Sequence, residues 1–387
     1  MDNKEHFLAF LKTHPAVRFV RLLWLDYTST LRVRVLTARH YLRLSESGRA
    51  HGLGRLYMTL IDNDAPLAAS YSNAGTGQAY LMPDLSSLRV CPWMENHATV
   101  FCFFRQNESD PKHAVGHEDT LSELCPRLAL RKCLADTTSK GERFLVGFEI
   151  EFTCTMVKDP APAESLPRVH QASGLRTLES VMLPILCKIA ESLERIGIDV
   201  EHFHAEAEID QFELVTAPYS PLEAVDNLII TRETIRKISS DHGVDVSFHP
   251  SHPANNGLHL NISLLGMGST VRDVEDCFLA GILDHLASIF GFGLPHPESY
   301  IRTSPGHQCI GRYKTWGTQN REAPIRRKGA GFWEMRFLDS STNVYLCLAA
   351  LLYAGRSGIE SEAQLTLSDC NGNQVSVHPH ISELTLK

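Results

Sequence analysis

No surplus of positive charge runs through this 387-residue chain: 37 Lys and Arg stand against 45 Asp and Glu, a formal net charge of -8. A protein that grips a nucleic-acid backbone needs a basic face, so nucleic acid is excluded as a partner. The one basic cluster, Arg321 to Lys328, fits an anionic small ligand rather than a polymer. Long apolar runs are missing too. The longest candidate, around Tyr345 to Ala354, is short and ends in Gly355 and Arg356, so no membrane partner is expected. The opening MDNKEHFLAFLKTHP carries charge and has no long apolar centre, which argues against a signal peptide. Ten cysteines are scattered without a CxxC pair, and Cys187, Cys277 and Cys347 fall in apolar helical stretches. They read as reduced core thiols of a cytoplasmic protein. Neither a P-loop nor GxGxxG in a strand–helix context occurs, so a nucleotide would have to be held another way. Repeats and low-complexity segments are absent.

What is present is an ordinary apolar content of 43% and a length that suits two domains. The first hundred residues read as strands. Residues 17–27 and 30–36 form a hairpin about Thr28 and Ser29, and 98–104 is a further strand. Ser70 to Gln78 reads as a loop and Gln106 to Gly116 as a linker. Helices are then expected at 120–136, 178–195, 221–242 and 272–289, with a buried one near 343–354. Leu178, Val181, Met182, Ile185, Ile189 and Leu193 carry the spacing in the second, and Gly197 stops it. Strands alternating with these helices point to α/β layering.

Four strands carry unusual polar faces. Side chains alternate across a strand, so in GFEIEF Glu149 and Glu151 oppose Phe148, Ile150 and Phe152. Gln211 and Glu213 share a face in QFELV, as do His259, Asn261 and Ser263 in GLHLNISL, and Glu334 and Arg336 in FWEMRF. Upstream, HFHAEAE places His202, His204 and Glu206 at alternate positions. One such strand usually just faces water. Glutamates on neighbouring strands of one face repel unless cations sit between them. Oxygen-rich ligands without cysteine suit Mg²⁺ or Mn²⁺ and disfavour structural zinc. Hard cations beside Arg302, Arg321, Arg326 and Arg336 suit phosphoryl transfer. The stretch NREAPIRRKG reads equally well as a solvated basic loop or as a phosphate clamp.

Taken in order, GFEIEF, HAEAEIDQFE, NNGLHLNISL, QNREAPIR and WEMRFLDSSTNVYLCLAALLYAG resemble the motifs of glutamine synthetases, and YLMPDLSSLRVCPW resembles the segment closing that family's small domain. The resemblance covers nearly the whole chain. It implies an α+β fold: a small N-terminal β-grasp domain, residues 1–112, and a catalytic domain, residues 113–387, with a curved antiparallel sheet flanked by helices. It also implies a ring-shaped homo-oligomer. By the same resemblance Glu151, Glu206 and Glu213 would hold one metal ion, and Glu149, His259 and Glu334 a second. Arg302 matches the arginine that holds the substrate α-carboxylate, with Asn255, Asn256 and Gly257 along the glutamate-binding backbone. Arg321 and Arg326 fall near the phosphates, Arg336 near the reacting carboxyl, and Ser263 on the nucleotide side. The implied reaction joins a small-molecule carboxylate and an amine through an acyl phosphate, with ATP as co-substrate and two Mg²⁺ or Mn²⁺ per site.

Several positions depart from the family pattern. The flap acid that helps deprotonate ammonia aligns with Gln308, a neutral amide that cannot act as a base. Asn261 replaces the second histidine of an HxH motif, Phe332 a basic residue two before the metal-binding glutamate, and Asp210 a glycine. Asp62 and Asp64 are the candidates for the ammonium-binding aspartate. These losses spare all six metal ligands and point to a relative that uses an amine larger than ammonia. Two alternatives stand beside this: a non-catalytic scaffold, and a metal-dependent hydrolase built on His202 and His204. Cys102 and Cys154 read as packing groups, Trp316 as either core or ligand cover, and His378 and His380 as part of an irregular tail.

Overall fold

The computed structural model describes residues 3–58, 60, 64–65, 78–106, 124–138, 143–157, 170–250, 255–265, 271–303 and 313–371. It contains two compact units, Met1–Lys132 and Cys133–Lys387. The expected boundary at 112/113 lies outside the described residues, as do Gln308, Asp62, His378 and His380.

The first unit begins with α1 (Asn3–Thr13), followed by β1 (Phe19–Leu25), β2 (Leu31–Thr37) and α2 (Ala38–Glu46). Strands β3 (His51–Gly54), β4 (Gln78–Pro83), β5 (Arg89–Val90) and β6 (His97–Gln106) follow. The sheet order is β2-β1-β6-β4-β3, with β5 paired to β6. β1 and β2 form the expected antiparallel hairpin. Buried Asp26 organises its turn: one carboxylate oxygen accepts from the Thr28 and Thr30 N–H groups, and the other from Arg32 at 2.7 Å. Ser29 takes φ 62°, a left-handed position that a short polar residue tolerates. The apolar run read as a strand at 98–104 is the middle of β6, where it is buried and parallel to β1. α1 and α2 go beyond the strand-only reading; α2 starts at Thr37, whose hydroxyl accepts from the His40 N–H.

Helix α3 (Pro126–Thr138) spans the division between the units. The second unit continues with β7 (Arg143–Met156), α4 (Leu175–Leu178), α5 (Met182–Glu194), β8 (Val200–Ala205) and β9 (Gln211–Thr216). Next come α6 (Pro221–Asp241), β10 (Val244–Ser247), β11 (Leu258–Leu265), α7 (Val271–Asp284) and α8 (Leu286–Gly293). The last elements are β12 (Trp316–Thr318), β13 (Ile325–Gly329), β14 (Phe332–Met335) and α9 (Val344–Glu360). The sheet runs β12-β13-β14-β11-β7-β9-β8, with β10 on β7. Among the described residues every pairing in this sheet is antiparallel except β12 with β13. This corrects the α/β layering drawn from alternation. Crossover helices of that class join parallel neighbours, whereas the helices here are inserted between antiparallel strands.

The apolar faces of β7, β9, β11 and β14 are buried through Phe148, Ile150, Phe152, Leu214, Leu260, Ile262, Trp333 and Met335. Phe278 of α7 lies 5.3 Å from the Trp333 ring and 5.6 Å from that of Phe144. α7 crosses α9 at glycines: a Cβ on Gly281 would lie 2.2 Å from the Ala354 carbonyl, and one on Gly358 2.1 Å from that of Cys277. Two expected helices are broken. Residues 178–195 divide into α4 and α5, because Pro184 has no N–H to continue the helix backward, and Val181 is exposed. Residues 272–289 divide into α7 and α8, which bend by 70°. Among the described residues no single helix is long and apolar enough to cross a membrane. With its apolar face sealed by helices, the sheet leaves its polar face to carry the chemistry.

Candidate active site

Strand register gathers the acidic residues. Glu149 and Glu151 project from one face of β7. Opposite them, His259 of β11 pairs with Glu149, and Glu213 of β9 pairs with Glu151. Glu334 of β14 pairs with Asn261 on one side and Arg326 of β13 on the other. Glu149, His259 and Glu334 offer ligand atoms within 4.8 Å of one another, as do Glu151, Glu213 and His259. The structure thus brings together five of the six residues expected to bind metal. Glu206 is half-buried and outside these tight groups; burial, then the charges of Glu151 and Glu213, raise its pKa.

Cationic groups interleave with the carboxylates. His259 Nδ1 lies 3.1 Å from Glu149 and 3.5 Å from Glu334. Arg326 donates to one oxygen of Glu334 at 2.9 Å and Arg336 donates to the other. Lys328 Nζ sits 3.3 Å from Glu149 and 3.1 Å from Asn261 Oδ1, while Asn261 donates to Glu149 at 3.0 Å. Burial would raise the Glu149 pKa, but the His259 hydrogen bond and charge, then Asn261 and Lys328, hold it far below the usual carboxylate range. Burial and Arg336 push His259 down, yet Glu149, Glu151 and Glu334 outweigh them and raise it. In the sequence Lys328 stands only as the end of the basic cluster that begins at Arg321. Its spacing of two from Arg326 on one strand was the available signal.

The 255–257 segment closes one end. The Gly257 N–H donates to Glu151 at 2.6 Å, and a Cβ there would lie 2.6 Å from Arg302 Nη2. Arg302 is fully buried and donates to the Leu338 carbonyl at 2.8 Å. Asn256 is buried and donates to the Ser247 and His249 carbonyls, while accepting from Gln211 and Thr153. Asn255 is half-buried. Ser263 lies on the polar face of β11 opposite Phe332. Arg321 is exposed, apart from the hydrogen-bonded set. Trp316 is buried and donates to the Leu367 carbonyl, a core role. Burial drives the Cys102 and Cys154 thiols well above their ordinary range, in keeping with packing groups. Asp64 is ion-paired with Arg32 in the first unit.

The donor set fits hard divalent cations. Glu151 Oε1 and His259 Nε2 are 3.6 Å apart, both buried, and neither has a hydrogen-bond partner among the described residues. With a neutral His259 the two atoms are facing acceptors sealed from water, an arrangement that a metal ion or a proton between them relieves. The remaining donors are carboxylate oxygens, the ligands Mg²⁺ and Mn²⁺ prefer. A third group, His202, His204 and Glu213, has a different, nitrogen-rich character.

The sequence matches the family described as "Glutamine synthetase, catalytic domain" over residues 123–385. The chain belongs to the glutamine synthetase family. It is 34% identical over 373 residues to the protein fluG of Emericella nidulans, covering 93% of this chain but only 41% of that relative. It is also 27% identical to a gamma-glutamylpolyamine synthetase of Streptomyces coelicolor, over 91% of this chain and 78% of the relative. The solved structure described as "GmaS/ADP complex-Conformation 1" superposes with a TM-score of 0.80 at 21% identity, covering all of this chain and 90% of that one. The fold is accordingly of the glutamine synthetase type, a curved half-barrel sheet with helices.

Proposed function

We propose that this glutamine synthetase family member is an ATP-dependent carboxylate–amine ligase that joins glutamate, or a similar acid, to an amine other than free ammonia. The observation that carries the reading is the convergence of Glu149, Glu151, Glu213, His259 and Glu334 on one sheet face, with Arg326 and Arg336 against Glu334. Family membership and the similarity to a polyamine-acting synthetase support it. Glu151, Glu206 and Glu213 would hold one Mg²⁺ or Mn²⁺, and Glu149, His259 and Glu334 the other. Bound there, the ions would neutralise ATP phosphate oxygens. Arg326 and Arg336 add guanidinium charge, Arg302 and the 255–257 segment position the acid, and Ser263 and Arg321 lie toward the nucleotide. A carboxylate oxygen attacks the γ-phosphorus and ADP leaves. The amine nitrogen then attacks the acyl carbon, phosphate leaves, and one proton is released. Gln308 in place of an acid removes a base suited to ammonium and favours a larger amine. The reading extends to a β-grasp domain at residues 1–112, a catalytic domain at 113–387, a ring-shaped homo-oligomer and a cytoplasmic location.

The test is product mass spectrometry after incubation with ATP, Mg²⁺, glutamate and a panel of amines. The expected products are ADP and glutamyl amides of organic amines. Best turnover with ammonia refutes the amine assignment, and no amide from any pair refutes the ligase. One observation favours a non-catalytic scaffold instead: Arg326, Arg336, Lys328 and His259 already neutralise much of the acidic cluster. Calorimetry with a non-hydrolysable ATP analogue separates the two, since a scaffold shows no Mg²⁺-dependent binding.

A further inference from the structure

We propose that His202, His204 and Glu213 form a separate site for a nitrogen-preferring transition cation of the Zn²⁺ class. Its occupancy withdraws Glu213 from the oxygen-rich cluster. His202 and His204 alternate on β8, so their imidazoles share a face, with ring centroids 5.8 Å apart and planes within 17°. His204 stands opposite Glu213 across the β8–β9 pairing. The three residues offer ligand atoms within 4.8 Å of one another. His204 Nε2 lies 3.2 Å from Glu213 Oε1. Ligands held about 2.0–2.1 Å from a tetrahedral ion are separated by roughly 3.3–3.4 Å, so this pair already has near-ligand spacing.

A second contact orients the ring. His204 Nδ1 faces the Ala205 carbonyl at 3.1 Å, the backbone tie that metal-bound imidazoles commonly make through their other nitrogen. With Nδ1–H donated there, Nε2 and the Glu213 carboxylate face each other across a gap that either a proton on Nε2 or a metal ion can fill, so a metal ion binds there by displacing that proton. Imidazole donors favour Zn²⁺, Co²⁺ or Ni²⁺, whereas the cluster around Glu149 and Glu151 offers mainly oxygen to harder ions. The sheet face thereby sorts two cation classes, with Glu213 common to both. Binding at the histidines stands on this geometry alone; the inhibitory consequence rests on the ligase reading.

The experiment uses the full chain stripped by chelation and held in excess Mg²⁺ to occupy the oxygen-rich cluster. Co²⁺ is titrated in, and its visible d–d absorption and the retained metal are measured. One Co²⁺ per chain is expected above the Mg²⁺ background. His202→Ala and His204→Ala should each weaken it by about tenfold or more, as loss of a ligand predicts, while Glu334→Gln leaves it intact. Circular dichroism checks the fold, and exposed His202 provides a variant with little structural cost. No Co²⁺ uptake, uptake unchanged in His202→Ala, or equal loss in Glu334→Gln overturns the site. Stoichiometric Zn²⁺ should also slow amide formation in the wild type but not in His202→Ala. A wild type inert with every substrate sinks the ligase proposal, and the Co²⁺ titration still judges this site separately.

Discussion

Gly257→Ala tests whether the acidic cluster depends on a backbone approach that only glycine permits. The added Cβ would meet Arg302 Nη2 at 2.6 Å, His259 Nε2 at 3.1 Å and Glu151 Oε1 at 3.2 Å. A flexible surface arginine would swing away at little cost. Arg302 is fully buried and tied to the Leu338 carbonyl, so the strain passes to the backbone instead. Overpacking of this kind costs about 1–3 kcal/mol. The same shift lengthens the 2.6 Å bond from the Gly257 N–H to Glu151, and hydrogen bonds to charged groups contribute about 1.5–3 kcal/mol. The two effects share one displacement and do not add fully, so a loss of about 2–3 kcal/mol is expected. For a unit of this size that lowers Tm by roughly 4–12 °C.

The assay pairs calorimetric unfolding with Mn²⁺ titration of the chelated protein, and Mn²⁺ affinity should fall at least tenfold. Gly291→Ala is the control. It lies within α8 with nothing within 4 Å of the added Cβ, and should stabilise by about 0.5–1 kcal/mol through backbone entropy. A Gly257→Ala protein with wild-type Tm and wild-type Mn²⁺ affinity would refute the reasoning, because the three close contacts would then carry no weight.

Two further outcomes follow from the charge arrangement. Lys328→Met removes an ammonium group that competes for Glu149, so Mn²⁺ should bind tighter, by about two- to tenfold at a partly solvated site; calorimetric titration reads the change, and weaker binding contradicts it. The Glu213 hydrogen bond raises His204 to about 9, against partial desolvation. Because the folded value exceeds the unfolded one, that stabilisation is complete below about pH 6.5 and is lost as pH rises through about 9. Denaturant unfolding in chelator should therefore show stability falling by about 1 kcal/mol across that window, allowing for solvent screening, and His204→Gln should flatten the profile.

The alternating faces of β7, β9, β11 and β14 were legible in the sequence because a period of two is a local property of extended chain. Glu149, Glu151, Glu213, His259 and Glu334 share a face for that reason. Which strand neighbours which is not local. The antiparallel order β14-β11-β7-β9 depends on long-range pairing, and alternation with helices pointed toward parallel layering instead. Helix interruptions were partly readable: Pro184 marks the start of α5, whereas the 70° bend between α7 and α8 has no comparable breaker in Asp284, His285 and Leu286.

Lys328 shows what register adds to a residue-by-residue reading. Along the sequence, Asn261 and Phe332 look like two unrelated losses from the family pattern. In the fold both touch Lys328: its ammonium group lies 3.1 Å from Asn261 Oδ1 and 5.1 Å from the centre of the Phe332 ring. A histidine at 261 would offer no carbonyl oxygen to that ammonium, and a basic side chain at 332 would place like charge beside it. Both residues thus face one ammonium group. That ammonium group stands on β13, the strand paired with β14, against Glu149. Single positions read along the chain do not show that these three residues meet, because the meeting depends on how β11, β14 and β13 pair.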